Sequence, residues 1–233
     1  MAHYSEVDGG VSVSEYSVGL GPRQSQNARF RKDFSWKLKA AIDRIGALFL
    51  LIVFAPVIAL IALIIRLDSP GPVLFRQPRF GAGGKHVVVT KFRTMRHEKT
   101  DIGGRRQATR TDDRITPIGR FLRKTCLDEL PQFWDVLCGR MSLVGPRPHP
   151  LALEVEGKPI EELIPNYHVR HKVRPGITGL AQVNGNRGPV TDLAMGRERV
   201  LYDAAYIRNF SLWLDIKILF LTLAVPFQKD GSY

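Results

Sequence analysis

The sequence predicts a mixed, helix-rich α/β chain, in which a kinked, re-entrant membrane helix precedes a small cytoplasmic domain with a short β-hairpin and interfacial amphipathic helices. Three observations lead there. An uncharged run from Ile45 to Ile65 carries Pro56 near its middle, two strand-like stretches flank the glycine cluster 81–84, and apolar residues recur at helical spacing from 191 onward. The expected order is an arm over 1–35, the membrane helix over 36–66, the domain over 67–225 and a tail over 226–233.

Residues 1–28 are rich in Ser, Gly and Gln without a sustained period, so a flexible polar arm is expected. No apolar stretch follows the start, so a signal peptide is not expected. The run of roughly 21 apolar residues, at about 1.5 Å each, just covers a hydrocarbon core of about 30 Å. It is expected to meet a membrane. Lys37, Lys39 and Arg44 precede it and Arg66, Arg76 and Arg79 follow, so both ends favour the cytoplasmic side. Pro56 cannot donate a backbone hydrogen bond and bends a helix, which fits a segment that enters one leaflet and returns.

Leu67 to Pro72 is turn chemistry, Val73–Phe80 and His86–Arg93 read as paired strands, and Gly81-Ala82-Gly83-Gly84 reads as their turn. Gly81–Gly84 lacks the spacing of a dinucleotide-binding loop. On a strand Lys91 and Arg93 would share one face, a geometry that suits either a solvated basic surface or a diphosphate. Residues 97–113 read as a mobile polar loop, and Ile115–Lys124 as a short helix whose Arg120, Arg123 and Lys124 suit phosphates or lipid headgroups equally.

Further on, 154–162 reads as an acidic insertion, and His168 and His171 could share a helix face without the company a metal site needs. Thr191–Phe210 is helical in period. Leu212–Leu223 is more apolar but broken by Asp215 and Lys217, which suits an interfacial helix anchored by Trp213, or a core helix.

The chemistry concentrates between Thr125 and Pro150. Adjacent carboxylates, Asp128 and Glu129, stand before Pro131, and Gly145-Pro146-Arg147-Pro148 lies downstream. On spacing alone a capping box of Thr125 with Asp128 is the simpler account, although Pro131 argues against one unbroken helix. Cys126 has no nearby histidine partner, and Cys126 and Cys138 form no metal or redox motif.

The blocks Leu127-Asp128-Glu129-Leu130-Pro131-Gln132 and Met141–Pro148, with Lys91-Phe92-Arg93-Thr94-Met95 and Val173–Val183, resemble the bacterial sugar transferase family of monotopic polyprenyl-phosphate phosphoglycosyl transferases. The likeness covers about residues 36–225. It implies that 67–225 is a phosphoglycosyl transferase domain. It also implies transfer of a sugar-1-phosphate, galactose or glucose, from a UDP-sugar to undecaprenyl phosphate with release of UMP, an initiating step of exopolysaccharide synthesis.

The resemblance turns Asp128 and Glu129 from caps into catalytic residues: Asp128 as a nucleophile that becomes phosphorylated by the sugar phosphate, and Glu129 as a ligand of Mg2+. Arg147, with Lys91 and Arg93, is expected to bind substrate phosphate, and Pro56 to kink the membrane helix. Family members often carry Asn at 135 and Asp at 140, where this chain has Asp135 and Arg140, and Ser at 55, where it has Ala55. No multi-span region precedes the matching blocks, which implies a minimal member.

A formal charge of +12 and a pI near 10.0 favour anionic partners: UDP-sugar, polyprenyl phosphate and anionic lipid. Nucleic acid is not expected, since no aromatic-basic binding motif is present. The place expected is the cytoplasmic face of the bacterial inner membrane, with room for a homo-oligomer. A non-catalytic basic membrane scaffold is the rival.

Overall fold

A computed structural model describes residues 26–224 apart from 102, 104–106, 110 and 111. The expected arm up to residue 25, the tail and part of the polar loop therefore lie outside the described residues. Helix α1 (Gln26–Asp68) comes first and takes in the whole apolar run, with Pro56 inside it rather than at its end.

The run looks apolar all round in sequence, yet one face is chosen. Trp36, Ala47 and Leu50 pack into the main core, and Phe54, Ile58, Ile61 and Ile65 into a second cluster, at the three- and four-residue spacing of a single helical stripe. The other face stays uncovered: Ile45, Phe49 and Ile52 are each more than 60 % exposed. Only 11 % of the most apolar window is buried, so α1 is not the central helix of a soluble core.

Two buried polar groups pin its first half. Lys39 Nζ lies 2.7 Å from Asp215 Oδ2 and 3.2 Å from Asp43 Oδ2, while Ser142 donates to Asp43 and Tyr206 donates to Asp215. Asp215 sits on α7 (Leu212–Ala224), so the charge that interrupts the apolar pattern of that helix is its attachment point to α1. Leu214 and Ile218 bury the same side of α7, and Trp213, Phe220 and Leu223 remain outward, each at least 70 % exposed. The helix is thus packed on one face and apolar on the other, which combines the two alternatives the sequence left open.

Strands β1 (Leu74–Phe80) and β2 (His86–Phe92) form the expected antiparallel hairpin, with Phe75 opposite Lys91, and Gly81 N–H to Lys85 C=O (2.7 Å) closes the turn. Helix α2 (Pro117–Lys124) is capped by Thr116, whose hydroxyl accepts from Gly119 N–H at 3.0 Å. A β-carbon at Gly119 would lie 2.0 Å from Thr94 C=O, so glycine lets α2 settle on the end of the hairpin. A 3-10 turn (Leu127–Glu129) and α3 (Gln132–Leu137) follow.

Strand β3 (Ser142–Val144) pairs in parallel with β6 (Gly176–Thr178), Val144 opposite Thr178. At their ends the backbones touch, since a β-carbon on Gly176 would meet Gly145 N at 2.1 Å. That contact joins the Gly145–Pro148 turn to the Gly176–Gln182 block. Strands β4 (Glu154–Val155) and β5 (Lys158–Pro159), with α4 (Ile160–Leu163), make the acidic insertion a packed unit: Leu153, Val155, Ile160 and Ile164 close on Tyr167 and Val200. Helices α5 (Leu180–Val183) and α6 (Leu193–Arg208) complete the domain. The mixed, helix-rich α/β class holds.

Candidate active site

The carboxylate pair is displayed by a break in the helical chain. Helix α2 stops at Lys124, and Thr125 closes it by donating from Oγ1 to Phe121 C=O (2.8 Å) and Leu122 C=O (3.2 Å). The capping-box reading fails here, because Thr125 ends one helix instead of starting another. Cys126 then takes a left-handed conformation (φ 58°), a region favoured by glycine after a helix C-cap. The reversal turns Asp128 and Glu129 back toward the hairpin, and Pro131 stands at the N-cap just before α3, where its missing N–H costs that helix no hydrogen bond.

The two acids meet different surroundings. Glu129 Oε1 accepts from Lys91 Nζ at 2.6 Å and from Arg147 Nη2 at 2.7 Å, and Arg147 Nη1 reaches Oε2 at 3.4 Å. Asp128 has Lys91 Nζ at 3.7 Å, and no described group donates a hydrogen bond to it. Burial tends to raise both carboxyls. Around Glu129 the Arg147 and Lys91 charges overcome burial and hold its carboxyl well below the usual range, whereas burial with the neighbouring Glu129 charge leaves Asp128 raised. Neighbouring acids pushed in opposite directions suit different tasks. Glu129 is a fixed anion whose Oε1 is held by two cations and whose Oε2 has, among the described residues, only the long Arg147 contact; Asp128 is a more basic carboxylate with its oxygens available.

These residues face a cleft of about 410 Å3. Arg114, Arg123, Arg187 and Arg199 also line it, and the acids among its lining are Asp101, Asp128 and Glu129, so the space favours an anion. Arg123 donates from Nε to Thr94 Oγ1 at 2.9 Å and turns into the cleft, while Arg120 and Lys124 on the same helix point outward. That divides a basic helix the sequence could not apportion. Leu130, Phe133, Ile177 and Thr222 line the cleft with apolar or small groups, and Phe133 stacks on Phe54 of α1 at 6.5 Å.

Arg93 does not join the cluster around Glu129. Strand β2 ends at Phe92, and the Arg93 guanidinium donates to Pro70 C=O (2.7 Å), Ser69 C=O (2.6 Å) and Ile65 C=O (3.2 Å), closing the C-terminus of α1. Lys91 and Arg93 line the same cleft but are held differently: Lys91 meets the carboxylates, and the Arg93 guanidinium is anchored by orphan carbonyls. Cys126 is exposed at the rim of the cleft, yet partial desolvation, with the charges of Glu129 and Asp128, pushes its thiol upward, away from a reactive thiolate.

Sequence reasoning missed the support behind Arg147. Arg170 Nη2 donates to Arg147 C=O at 2.7 Å, and Arg79 Nη1 to Pro148 C=O at 2.6 Å, so the Gly145–Pro148 turn is held from both sides. Arg170 also lies 2.8 Å from Asp203 Oδ2, a charge contact outside hydrogen-bond alignment. Nothing in the spacing of Arg170 from Arg147 signals this pairing. His168 and His171, expected on one helix face, lie on a 3-10 turn (Tyr167–Lys172), where His171 stacks on Phe80 with ring centres 5.1 Å apart.

Among the described residues no group of three or more acidic, histidine or cysteine side chains could enclose a metal ion. Glu129 Oε2, whose one hydrogen-bond contact among the described residues is Arg147 Nη1 at 3.4 Å, fits a Mg2+ of the kind held by a single carboxylate together with substrate phosphate oxygens and water.

The bacterial sugar transferase family profile matches residues 34–229. The exopolysaccharide production protein PSS of Rhizobium leguminosarum bv. phaseoli is 49% identical over 196 residues, 84% of this chain and 98% of that protein. UDP-glucose:undecaprenyl-phosphate glucose-1-phosphate transferase of Escherichia coli is 49% identical over 196 residues, 84% of this chain and 41% of that protein. Undecaprenyl-phosphate glucose phosphotransferase of Komagataeibacter xylinus is 49% identical over 185 residues, 79% of this chain and 35% of that protein. The chain thus spans nearly all of the first relative and less than half of the other two. With the family profile covering Trp36 of α1 through the carboxylate pair to α7, the chain belongs to the bacterial sugar transferase family.

Proposed function

We propose that the protein transfers glucose-1-phosphate from UDP-glucose to undecaprenyl phosphate at the cytoplasmic face of the bacterial cell membrane, as the first step in building an exopolysaccharide. The observation that carries the chemistry is the contrast between Asp128, with open oxygens, and Glu129, clamped by Lys91 and Arg147. Glucose is preferred to galactose because two of the three relatives are named for it.

Asp128 Oδ attacks the β-phosphorus of UDP-glucose, and the bond from that phosphorus to the bridging oxygen breaks, so UMP leaves and an acyl phosphate joins Asp128 to the sugar. An oxygen of undecaprenyl phosphate then attacks the same phosphorus, the bond to Asp128 breaks, and the lipid diphosphosugar departs. Arg147 and Lys91 lie where they neutralise the diphosphate as it nears the carboxylate. Mg2+ held by Glu129 would add further charge neutralisation when bound.

The same reading places α1 in the membrane as a re-entrant segment. Its two halves pack on one body, Trp36 and Ala47 in one core cluster and Ile61 and Ile65 in another, which supports both ends lying on the side of the domain. The outer faces of α1 and α7 then meet lipid. Phe133, which touches α1, and Thr222, on α7, line the cleft and give a lipid-borne phosphate an apolar approach.

The test is UMP release from a panel of UDP-sugars, with purified protein, undecaprenyl phosphate and Mg2+. Release with UDP-glucose that needs the lipid phosphate supports the proposal. Release from another UDP-sugar alone would change the donor, and no release from any would sink the transferase reading.

A further inference from the structure

We infer that Asp135 is a positioning residue for the transfer reaction: it fixes strand β2 so that Lys91 stands against Asp128 and Glu129, with Arg140 as its counter-cation. The inference rests on the transferase reading above. Asp135 is fully buried on α3, six residues past the carboxylate pair's Glu129. Its carboxylate accepts from Thr90 N–H at 2.7 Å, from Thr90 Oγ1 at 3.2 Å and from Arg140 Nη2 at 2.7 Å. Thr90 immediately precedes Lys91.

The location explains why one carboxylate matters. Among the described residues the hairpin has two strands, so no third described strand holds the outer edge of β2. Asp135 takes that edge at Thr90 and ties it to the element that follows the 127–129 turn. A lysine tip at the end of four flexible carbons goes where its backbone and partners put it. With β2 released, Lys91 would lose its place between Glu129 at 2.6 Å and Asp128 at 3.7 Å.

The chemistry of the contact gives a reciprocal test. Every group directed at Asp135 from Thr90 and Arg140 is a donor, so only an acceptor on both sides satisfies them. In Asp135→Asn the amide oxygen can keep Thr90 N–H, but the new NH2 then faces the Arg140 guanidinium. Arg140→Asp supplies the missing acceptor. Arg140 N–H already bonds Asp135 C=O at 2.9 Å, so a short side chain at 140 starts close by.

The experiment measures UMP release from UDP-glucose and undecaprenyl phosphate for wild type, D135N, K91A, D135N/K91A and D135N/R140D. In D135N, kcat is expected to fall roughly 10- to 100-fold, the scale of a misplaced catalytic group, with a smaller change in KM. In the K91A background the same change should cost less than about twofold, because the two residues act through one position. D135N/R140D should recover most of the lost kcat. Equal costs of D135N in both backgrounds, or a D135N/R140D enzyme no better than D135N, would overturn the assignment.

Acylation of Lys91, quantified by peptide mass spectrometry, reads the same geometry without turnover. Labelling should rise in D135N and return toward wild type in D135N/R140D; unchanged labelling overturns the inference. Wild type that releases no UMP but shows this labelling pattern would refute the transferase reading and leave the positioning role standing.

Discussion

Arg147 grips Glu129 with both guanidinium nitrogens, Nη2 at 2.7 Å from Oε1 and Nη1 at 3.4 Å from Oε2. A fork of this kind keeps an arginine in place before substrate arrives, so the cation is already oriented when a diphosphate enters. Arg147→Lys keeps the charge and loses the fork. It is expected to lower kcat/KM for UDP-glucose by about 10- to 100-fold, and Arg147→Ala by on the order of 1000-fold, measured as UMP release. Equal activity of Arg147→Lys and wild type would show that a point charge suffices.

Asp128→Asn removes the open carboxylate while keeping its shape. UMP release should fall by at least about 1000-fold, and enzyme quenched in mid-turnover should carry no sugar-phosphate adduct at position 128. A variant that turns over normally and still traps labelled sugar phosphate would transfer the nucleophile's role elsewhere.

Cys126→Gly tests both the backbone and a rival nucleophile. Position 126 holds φ at 58°, where glycine meets no β-carbon penalty, so the variant is expected to be as stable as wild type or more stable by up to about 1 kcal/mol. Activity should stay within about threefold of wild type. Abolished turnover in a folded Cys126→Gly protein would contradict the raised thiol described above.

His171 makes stability sensitive to acid. Burial, then the Arg170 charge and His168, lower it from 6.5 to about 4. The unfolded chain takes up a proton near 6.5 and the folded chain does not until about 4, so stability present above pH 6.5 is lost as pH falls through that window. The loss is about 1 kcal/mol once solvent screening is allowed for. His149, also lowered by burial and Arg170, acts in the same direction, while Asp203, raised to about 6 by burial, acts oppositely between 3.8 and 6. Thermal melts of His171→Gln from pH 7 to 4.5 should therefore fall less steeply than those of wild type.

Single cysteines at Lys37 and Lys85, both exposed and on either side of the apolar run, should label from the same side of inverted vesicles when Cys126 and Cys138 are replaced by serine. Labelling from opposite sides would make α1 a simple spanning helix.

The hairpin, its glycine turn and the break before Pro131 were legible because turn residues and strand alternation act locally. The carboxylate pair was legible only through resemblance: by spacing it passed for a capping box, and Thr125 serves the preceding helix. The packed face of α1 was hidden because every side of the run is apolar, so composition alone could not select Ala47 and Ile65 over Ile45 and Ile52. Asp215 looked like an interruption, since its partner Lys39 is 176 residues away. The anchoring of Arg93 was hidden for a related reason: strand alternation gives the direction of a side chain, but not the orphan carbonyls at the end of another element.

The Lys39–Asp215 pair has a consequence for how reactants meet. It rivets the apolar helix to the body that carries the cleft, so with α1 seated in lipid the reacting phosphorus keeps a constant height above the bilayer. In the proposed reaction a long-chain acceptor anchored in the same leaflet would then reach the site by lateral diffusion, and only the nucleotide would have to arrive through water.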